Sequence, residues 1–379
     1  MPRPLMSEPI EVHVFGAKKG ESIVVRFPGD VWGVVDNYTP TLSRPESNPT
    51  FRFLKQRRVK RLSFLCLTHP HDDHYKGMSH LLETFRPDKV WLFGSMTHRR
   101  LCAMVAEVLQ AGAESASVDV GDSEKVDELV RIFDLIEAEY EDAQRQPRFD
   151  VVRLQLGMPL LDLTSSPAVR VVSIGASGGR ILCYERTLAK CFDSDGEFLA
   201  KELPSVNHNM VSGGLLVEYG QARIVLGGDI DTEAWEETVR NFPPERLASA
   251  LVKVSHHGST TGYCNGLWEI LSPGRLAVAV ITPYSSQGLP SAEGLAHISG
   301  EAKTTLCPSI KAAAEANEWD DSALDTGFKG LSVDALLTLR AVFPKASRPS
   351  DRLEGICSFF ITEDGNVTHA FTGEAGRLC

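Results

Sequence analysis

Three histidines and two aspartates within six residues are the feature that most limits how this chain can fold. The segment His69-Pro-His71-Asp-Asp73-His74 directly follows the apolar run Leu62–Leu67, whose composition predicts a buried β-strand. So many titratable groups repel one another or stay unpaired unless a cation organises them. Neutral imidazole and carboxylate oxygen are ligands of zinc, manganese and iron. The sequence therefore predicts a metal site in the turn after this strand.

The spacing within this cluster divides it into two groups of ligands. His69 and His71 are two residues apart, so an extended turn places both side chains on one side. Asp73 and His74 can then reach a second point beside the first. The spacing therefore allows side chains of the cluster to meet at two neighbouring points.

Predicted strands lie towards both ends of the chain, with predicted helices between them. Apolar alternation and β-branched residues predict strands over these segments: Ile10–Phe15, Ser22–Phe27, Val31–Asp36, Leu62–Leu67, Lys89–Phe93, Val169–Ser173, Gly214–Tyr219, Ala222–Leu226, Ala250–Val254 and Leu276–Ile281. Helical spacing predicts helices over Met78–Phe85, Leu101–Leu109 and Glu124–Gln144. Residues 304–349 are predicted to be helical or irregular, and Asp364-Gly365 predicts a hairpin that joins Ser358–Thr362 to Val367–Phe371. This order favours two sheets covered by helices.

Composition narrows the classes of function. The chain has 379 residues, of which 42% are hydrophobic and 23% are charged, as in ordinary globular proteins. A formal charge of -11 repels polyanions and disfavours a non-specific nucleic-acid binder, although a small phosphate ester remains possible. No stretch of 18 consecutive apolar residues and no apolar leader occur. We therefore expect a cytoplasmic protein without membrane contact.

Three spaced motifs resemble a known family. His-x-His-x-Asp-His after an apolar strand and Thr68 is similar to the signature of the metallo-β-lactamase superfamily. Leu226-Gly-Gly-Asp229 resembles the family's bridging aspartate, and Ser255-His256-His257-Gly-Ser259 resembles its final histidine. With Asn209-Met-Val-Ser212 added, the pattern is most similar to the hydrolase domain of ComEC-type competence proteins. The resemblance covers roughly residues 10–300.

This resemblance implies a fold and a cofactor. The implied fold is a four-layer αββα sandwich of the α/β class, with a helical insertion. We expect a single domain over residues 1–379, with insertions near 37–61 and 110–205 and a helical and hairpin extension over 304–379. The implied cofactor is a pair of divalent metal ions, with zinc as the first choice and manganese or iron as alternatives.

The resemblance also assigns roles to individual residues. One ion would be held by His69, His71 and a third histidine, and a second ion by Asp73, His74 and the final histidine, with Asp229 as the bridge. His208 is the candidate third histidine, because it precedes Asp229 by a strand-turn-strand segment. The alternatives are Asn207, Asn209 and Ser212.

The final ligand has two candidates. Family members with His-x-Gly-Thr at this place favour His256, and His257 would then contact a substrate oxyanion. Asp73, Asp229 and His257 are accordingly the predicted catalytic residues. Asp36 ends a predicted strand where the superfamily often has an aspartate that orients a ligand histidine.

The predicted reaction is hydrolysis by a metal-bridging hydroxide. The ComEC-like pattern implies a phosphodiester substrate, either a small molecule or a short nucleic acid that meets the basic segment Lys55–Arg61. One alternative is hydrolysis of an ester, lactone, thioester or amide. Another is a metal-bound module that recruits a protein partner through the acidic segment Glu124–Gln144.

Overall fold

A computed structural model describes most of the chain. The described residues are 7–16, 19–95, 121–140, 146–190, 207–310, 312–313, 355–373 and 375–378. The predicted helix over Leu101–Leu109 lies outside them. Residues 314–354, most of the segment predicted to be helical or irregular, also lie outside them.

The first sheet has eight strands. From one edge to the other they are β15 (Val367–Gly373), β14 (Gly355–Ile361), β1 (Ile10–Gly16), β2 (Ser22–Phe27), β3 (Val31–Val35), β4 (Phe64–Leu67), β5 (Lys89–Leu92) and β6 (Asp150–Arg153). The strands β3 to β6 are parallel to one another, and the other neighbours are antiparallel.

The second sheet also has eight strands. In spatial order they are β16 (Gly376–Arg377), β13 (Thr304–Cys307), β12 (Val278–Val280), β11 (Leu251–Lys253), β10 (Ala222–Leu226), β9 (Gly213–Tyr219), β8 (Val169–Gly175) and β7 (Pro159–Leu163). Here β10 to β13 form the parallel part.

Helices cover the outer faces of both sheets. In chain order they are α1 (Pro49–Gln56), α2 (Asp72–Tyr75), α3 (Met78–Phe85), α4 (Gly121–Glu137), α5 (Gly178–Ala189), α6 (Thr232–Asn241), α7 (Pro244–Leu247), α8 (Leu267–Leu271) and α9 (Ala292–Glu301). In the parts of the chain that the structure describes, no helix is both long and apolar enough to cross a bilayer.

Three apolar layers hold these elements together. One layer fills the space between the sheets, and the other two lie between each sheet and its helices. In β5, Trp91 points into the layer between the sheets while Val90 and Leu92 point towards helices. Alternate strand residues therefore serve different layers, as the pleat requires. The result is the predicted four-layer αββα sandwich.

Part of the segment predicted as an insertion belongs to the sheets. Within residues 110–205, β6 forms the edge of the first sheet, and β7 and β8 form the edge of the second. The C-terminal segment also belongs to a sheet, because β14 pairs along its whole length with β1. Thr304–Cys307 is a strand rather than helical or irregular. The strands β6 and β13 have four residues each and so carry little local signal, and their partners are remote in sequence.

The sheet topology places the histidine-aspartate segments at one end of the sandwich. The carboxyl ends of neighbouring parallel strands meet at the same edge of a sheet. Asp36 follows β3 and His69 follows β4 in the first sheet, while Asp229 follows β10 and His257 follows β11 in the second. Residues that are far apart in sequence therefore converge where the two sheets face each other.

Candidate metal centre

The first ligand group contains His69, His71 and Asp229. Their ligand atoms all lie within 4.8 Å of one another. His69 Nε2 is 2.9 Å from His71 Nδ1 and 3.5 Å from Asp229 Oδ2. His69 and Asp229 are buried, and His71 is partly exposed. Two imidazoles and a carboxylate thus face a common point.

The second ligand group lies on the other side of Asp229. His74 Nε2 is 3.3 Å from His257 Nε2, and Asp73 Oδ2 is 3.1 Å from the same His257 atom. Asp229 Oδ1 is 3.4 Å from His74 Nε2 and 3.8 Å from His257 Nε2. The two oxygens of Asp229 therefore face different groups, which is the arrangement of a bridging carboxylate.

Asp36 fixes the orientation of two ligand histidines. His74 Nδ1–H donates to Asp36 Oδ2 over 2.8 Å, which leaves Nε2 available for a cation. The Thr68 hydroxyl donates to the same oxygen over 2.7 Å, and Thr68 Oγ1 lies 3.1 Å from His69 Nδ1. Asp36 itself adopts a left-handed conformation with φ of 54°. A carboxylate kept buried in this uncommon backbone conformation agrees with the predicted orienting role.

The electrostatics of the cluster fit a bound cation. Burial alone would lower the pKa of His74, but the carboxylates of Asp229, Asp73 and Asp36 outweigh it and raise that pKa well above its usual value. For His69, burial and the neighbouring histidines lower the pKa, so this imidazole is neutral. Asp229 Oδ1 is buried without a hydrogen-bond partner. A buried carboxylate oxygen without a hydrogen bond is costly, and a metal ion would satisfy it.

The structure orients the two adjacent histidines differently from the prediction. His257, rather than His256, faces Asp73 and His74. His256 is turned away: its Nε2 lies 3.3 Å from Asn209 Nδ2, and its Nδ1 lies 2.9 Å from Thr261 Oγ1. Both histidines have left-handed backbones, with φ of 50° and 52°. The direction in which each of the two side chains points is set by this turn and not by simple strand alternation.

His208 lies beside the first group but outside it. Its ring packs edge-on against His71 with 5.4 Å between centroids, and its Nδ1 is 2.7 Å from the Tyr184 hydroxyl. Burial lowers the pKa of His208 to about 3, so the ring is neutral. Neither group of ligand atoms within 4.8 Å contains it in the described part of the chain.

The alternatives to His208 have other contacts. Asn207 accepts a hydrogen bond from the backbone N–H of Asn209. Ser212 Oγ accepts from the backbone N–H of Asp229 over 3.0 Å and so supports that residue. These contacts place Ser212 behind the metal centre and Asn209 beside His256.

Four buried residues of this region were not predicted to be metal ligands or to orient them. Glu21 follows β1 after a short loop, Lys253 ends β11 and Thr282 follows β12, and all three are fully buried. Glu128 of α4 accepts hydrogen bonds from the backbone N–H groups of Gly77 and Ser79 and so caps the start of α3. The acidic helix α4 is therefore docked onto the body at the residues that follow the histidine cluster.

Lys19, Tyr38 and Tyr284 form a cationic and aromatic rim next to the second group. Lys19 Nζ is 2.7 Å from Asp72 Oδ2 and 5.2 Å from the centre of the Tyr284 ring, which in turn packs edge-on against His257. Burial raises the pKa of Tyr38 to about 12, so its phenol stays protonated. Lys19 and Tyr38 also line a cavity of about 210 Å³.

Comparisons with known proteins give only distant similarity. No family model and no curated protein sequence matches this chain. Among solved structures, the hydrolase AbOPH of the beta lactamase superfamily is similar at 14% identity, over 55% of this chain and 55% of that chain, with a TM-score of 0.32. A long form RNase Z from yeast is similar at 10% identity, over 73% of this chain and 36% of that chain, with a TM-score of 0.35.

A third similar structure is unliganded yeast PDE1. The identity is 11%, the aligned region covers 73% of this chain and 88% of that chain, and the TM-score is 0.29. This chain thus spans little more than half of AbOPH and about a third of the RNase Z chain.

Proposed function

We propose that this chain is a binuclear metal-dependent hydrolase of the metallo-β-lactamase type that cleaves small phosphodiesters. The observation that carries the proposal is the division of one buried cluster into two ligand groups that share Asp229. His69 and His71 would hold one ion, while Asp73, His74 and His257 would hold the other. Divalent ions at such a site lower the pKa of water and stabilise negative charge on the attacked group.

The residues of the chain have separate tasks in this proposal. Asp36 and Thr68 keep His69 and His74 in the tautomer whose Nε2 is free. Asp229 would keep the two ligand groups next to each other, because one of its oxygens faces each group. The sandwich supplies a largely buried surrounding, in which fixed charges act more strongly than in water.

The rim residues support an anionic substrate. Burial alone would lower the pKa of Lys19, but the Asp72 carboxylate outweighs it and raises that pKa, so Lys19 remains a cation. Lys19 and the protonated phenol of Tyr38 can therefore donate to phosphate oxygens. The adjoining cavity of about 210 Å³ suits a small substituent rather than duplex nucleic acid.

The experiment compares two bond types on one preparation. The metal-loaded chain is incubated with bis(p-nitrophenyl) phosphate and, separately, with p-nitrophenyl acetate, and the release of p-nitrophenol is followed. We expect turnover of the phosphodiester that is lost in His69→Ala. Turnover of the acetate alone, again lost in His69→Ala, would replace the proposal with an esterase. Tight binding of two metal ions without turnover of either compound would favour the metal-bound binding module.

A further inference from the structure

Glu21 is a buried carboxylate that the sequence signature of the site does not include. It is fully buried, and its carboxylate lies within 4.8 Å of ligand atoms of His74, Asp229 and His257. Its Oε2 forms an ion pair with Lys253, whose side chain is also fully buried. A buried charged pair at this depth needs a reason, because hydrophobic residues of similar volume are often at least as stable.

The contacts of Glu21 lead directly to a proposed ligand. The Thr282 hydroxyl donates to Glu21 Oε2 over 3.1 Å. His257 Nδ1–H in turn donates to Thr282 Oγ1 over 3.0 Å and lies 3.2 Å from the Thr282 carbonyl oxygen. The hydrogen bonds from His257 to Thr282 and from Thr282 to Glu21 form a relay. This relay fixes the imidazole of His257 with its Nε2 towards the other residues of the second group.

This relay has a counterpart on the other sheet. There Thr68 donates to Asp36, and His69 Nδ1 lies against the Thr68 hydroxyl. Each sheet thus contributes a threonine that connects a ligand histidine to a buried carboxylate. The similarity of the two arrangements indicates that Glu21 orients His257 as Asp36 orients His69.

Lys253 holds the Glu21 carboxylate in place. Oε1 is buried and has no hydrogen-bond partner, whereas Oε2 is occupied by Lys253 and Thr282. Lys253 also donates to the carbonyl of Val254 over 2.7 Å, which fixes the ammonium in place. An ion pair held this firmly keeps the Glu21 carboxylate in one orientation behind the second ligand group.

We propose that Glu21 is a positioning residue of the metal centre, which orients His257 through Thr282 and is itself held by Lys253. This inference rests on the proposed binuclear site. Residues behind metal ligands commonly change metal affinity by about 10- to 100-fold when they are replaced. The proposal therefore predicts an effect on the second ion that is larger than the effect on the first.

The test measures the affinity of the full-length chain for each of two Zn²⁺ ions, by competition with a chelating dye. The absorption spectrum of the Co²⁺-loaded chain serves as an independent readout of ligand geometry. The double variant Glu21→Gln/Lys253→Met removes both charges, so no buried ammonium is left unpaired. Thr282→Val breaks the relay, and Thr282→Ser keeps the hydroxyl. Glu128→Gln is the matched control, because Glu128 is also buried and hydrogen-bonds with Gly77 and Ser79.

We expect the double variant and Thr282→Val to lose about 10- to 100-fold in affinity for the second ion and to change the Co²⁺ spectrum. Thr282→Ser should restore both, and Glu128→Gln should change neither. Unaltered affinities and spectrum in a folded double variant would overturn the role of Glu21 while leaving the proposed function intact. A wild-type chain that binds fewer than two ions would overturn both proposals.

Discussion

The two ligand groups of the candidate metal centre differ in how firmly the surrounding protein holds them. The second group is buried throughout, and its histidines donate to Asp36 and to Thr282. The first group includes the partly exposed His71, whose Nδ1 faces His69 rather than a supporting carboxylate. The second group is therefore the more preorganised of the two, and the first is the more exposed.

Replacing Asp229, which the two groups share, should abolish this difference and cause the largest loss of metal affinity. Asp229→Ala removes the oxygen that faces each group, so we expect both ions to bind more weakly by over about 100-fold, beyond the usual effect of residues outside the ligand set. Elemental analysis of the purified chain and phosphodiesterase turnover measure the effect. Asp162→Ala, at an exposed carboxylate of β7, is the control. Two retained ions in Asp229→Ala would refute the bridging role.

The adjacent histidines provide a test confined to the second group. His257→Ala should remove one ion and leave the first group loaded, because the His257 Nε2 atom faces Asp73 and His74. His256→Ala should keep two ions, since its ring nitrogens contact Asn209 and Thr261. Titration with Zn²⁺ gives the stoichiometry of both variants. The opposite result would restore the assignment of His256 that the sequence suggested.

Asp36→Asn should weaken the second group by about 10- to 100-fold, with a smaller effect on the first. Asp36 accepts directly from His74 but reaches His69 only through Thr68. Separate Zn²⁺ affinities are the measurement. The control is Asp88→Asn, because Asp88 pairs with Arg61 at the surface. Equal losses at both groups would show that Asp36 supports the whole turn and not one histidine in particular.

The smallest effect is expected for His208→Ala. His208 packs against His71 and hydrogen-bonds with Tyr184, so its removal should loosen the first group by less than about 10-fold, below the range for strong outer partners. The affinity for the first ion is measured beside that of Tyr184→Phe. A loss above about 100-fold in His208→Ala alone would identify this histidine as a ligand.

Much of the fold was accessible from local patterns. The predicted strand Ala222–Leu226 and helix Met78–Phe85 have the bounds seen in the structure. Both segments have a clear periodicity, which reflects burial on one face. The short strands β6 and β13 were missed because four residues contain too little periodicity, and their pairing depends on partners remote in sequence.

Only part of the site could be predicted from the sequence, for a related reason. Ligand types were visible because imidazoles and carboxylates cluster between His69 and His74. The roles of Glu21 and Thr282 were not visible, since they depend on contacts that form only when the two sheets pack together. The basic segment Lys55–Arg61 was interpreted as a possible contact for nucleic acid. In the structure two of its residues pair with acidic groups: Arg57 with Glu11 and Arg61 with Asp88.

The sequence by itself determined which imidazoles and carboxylates are available to bind a metal ion and that they follow strands. It could do so because composition and periodicity are local properties. Only the tertiary structure decided that Asp229 lies between two ligand groups, that His257 faces inward in place of His256, and that Glu21 stands behind it. Two consecutive left-handed residues set the direction of the histidine pair. Such a turn is fixed by the packing of both sheets around it, and no alternation rule for the strand before it can predict which side chain turns inward.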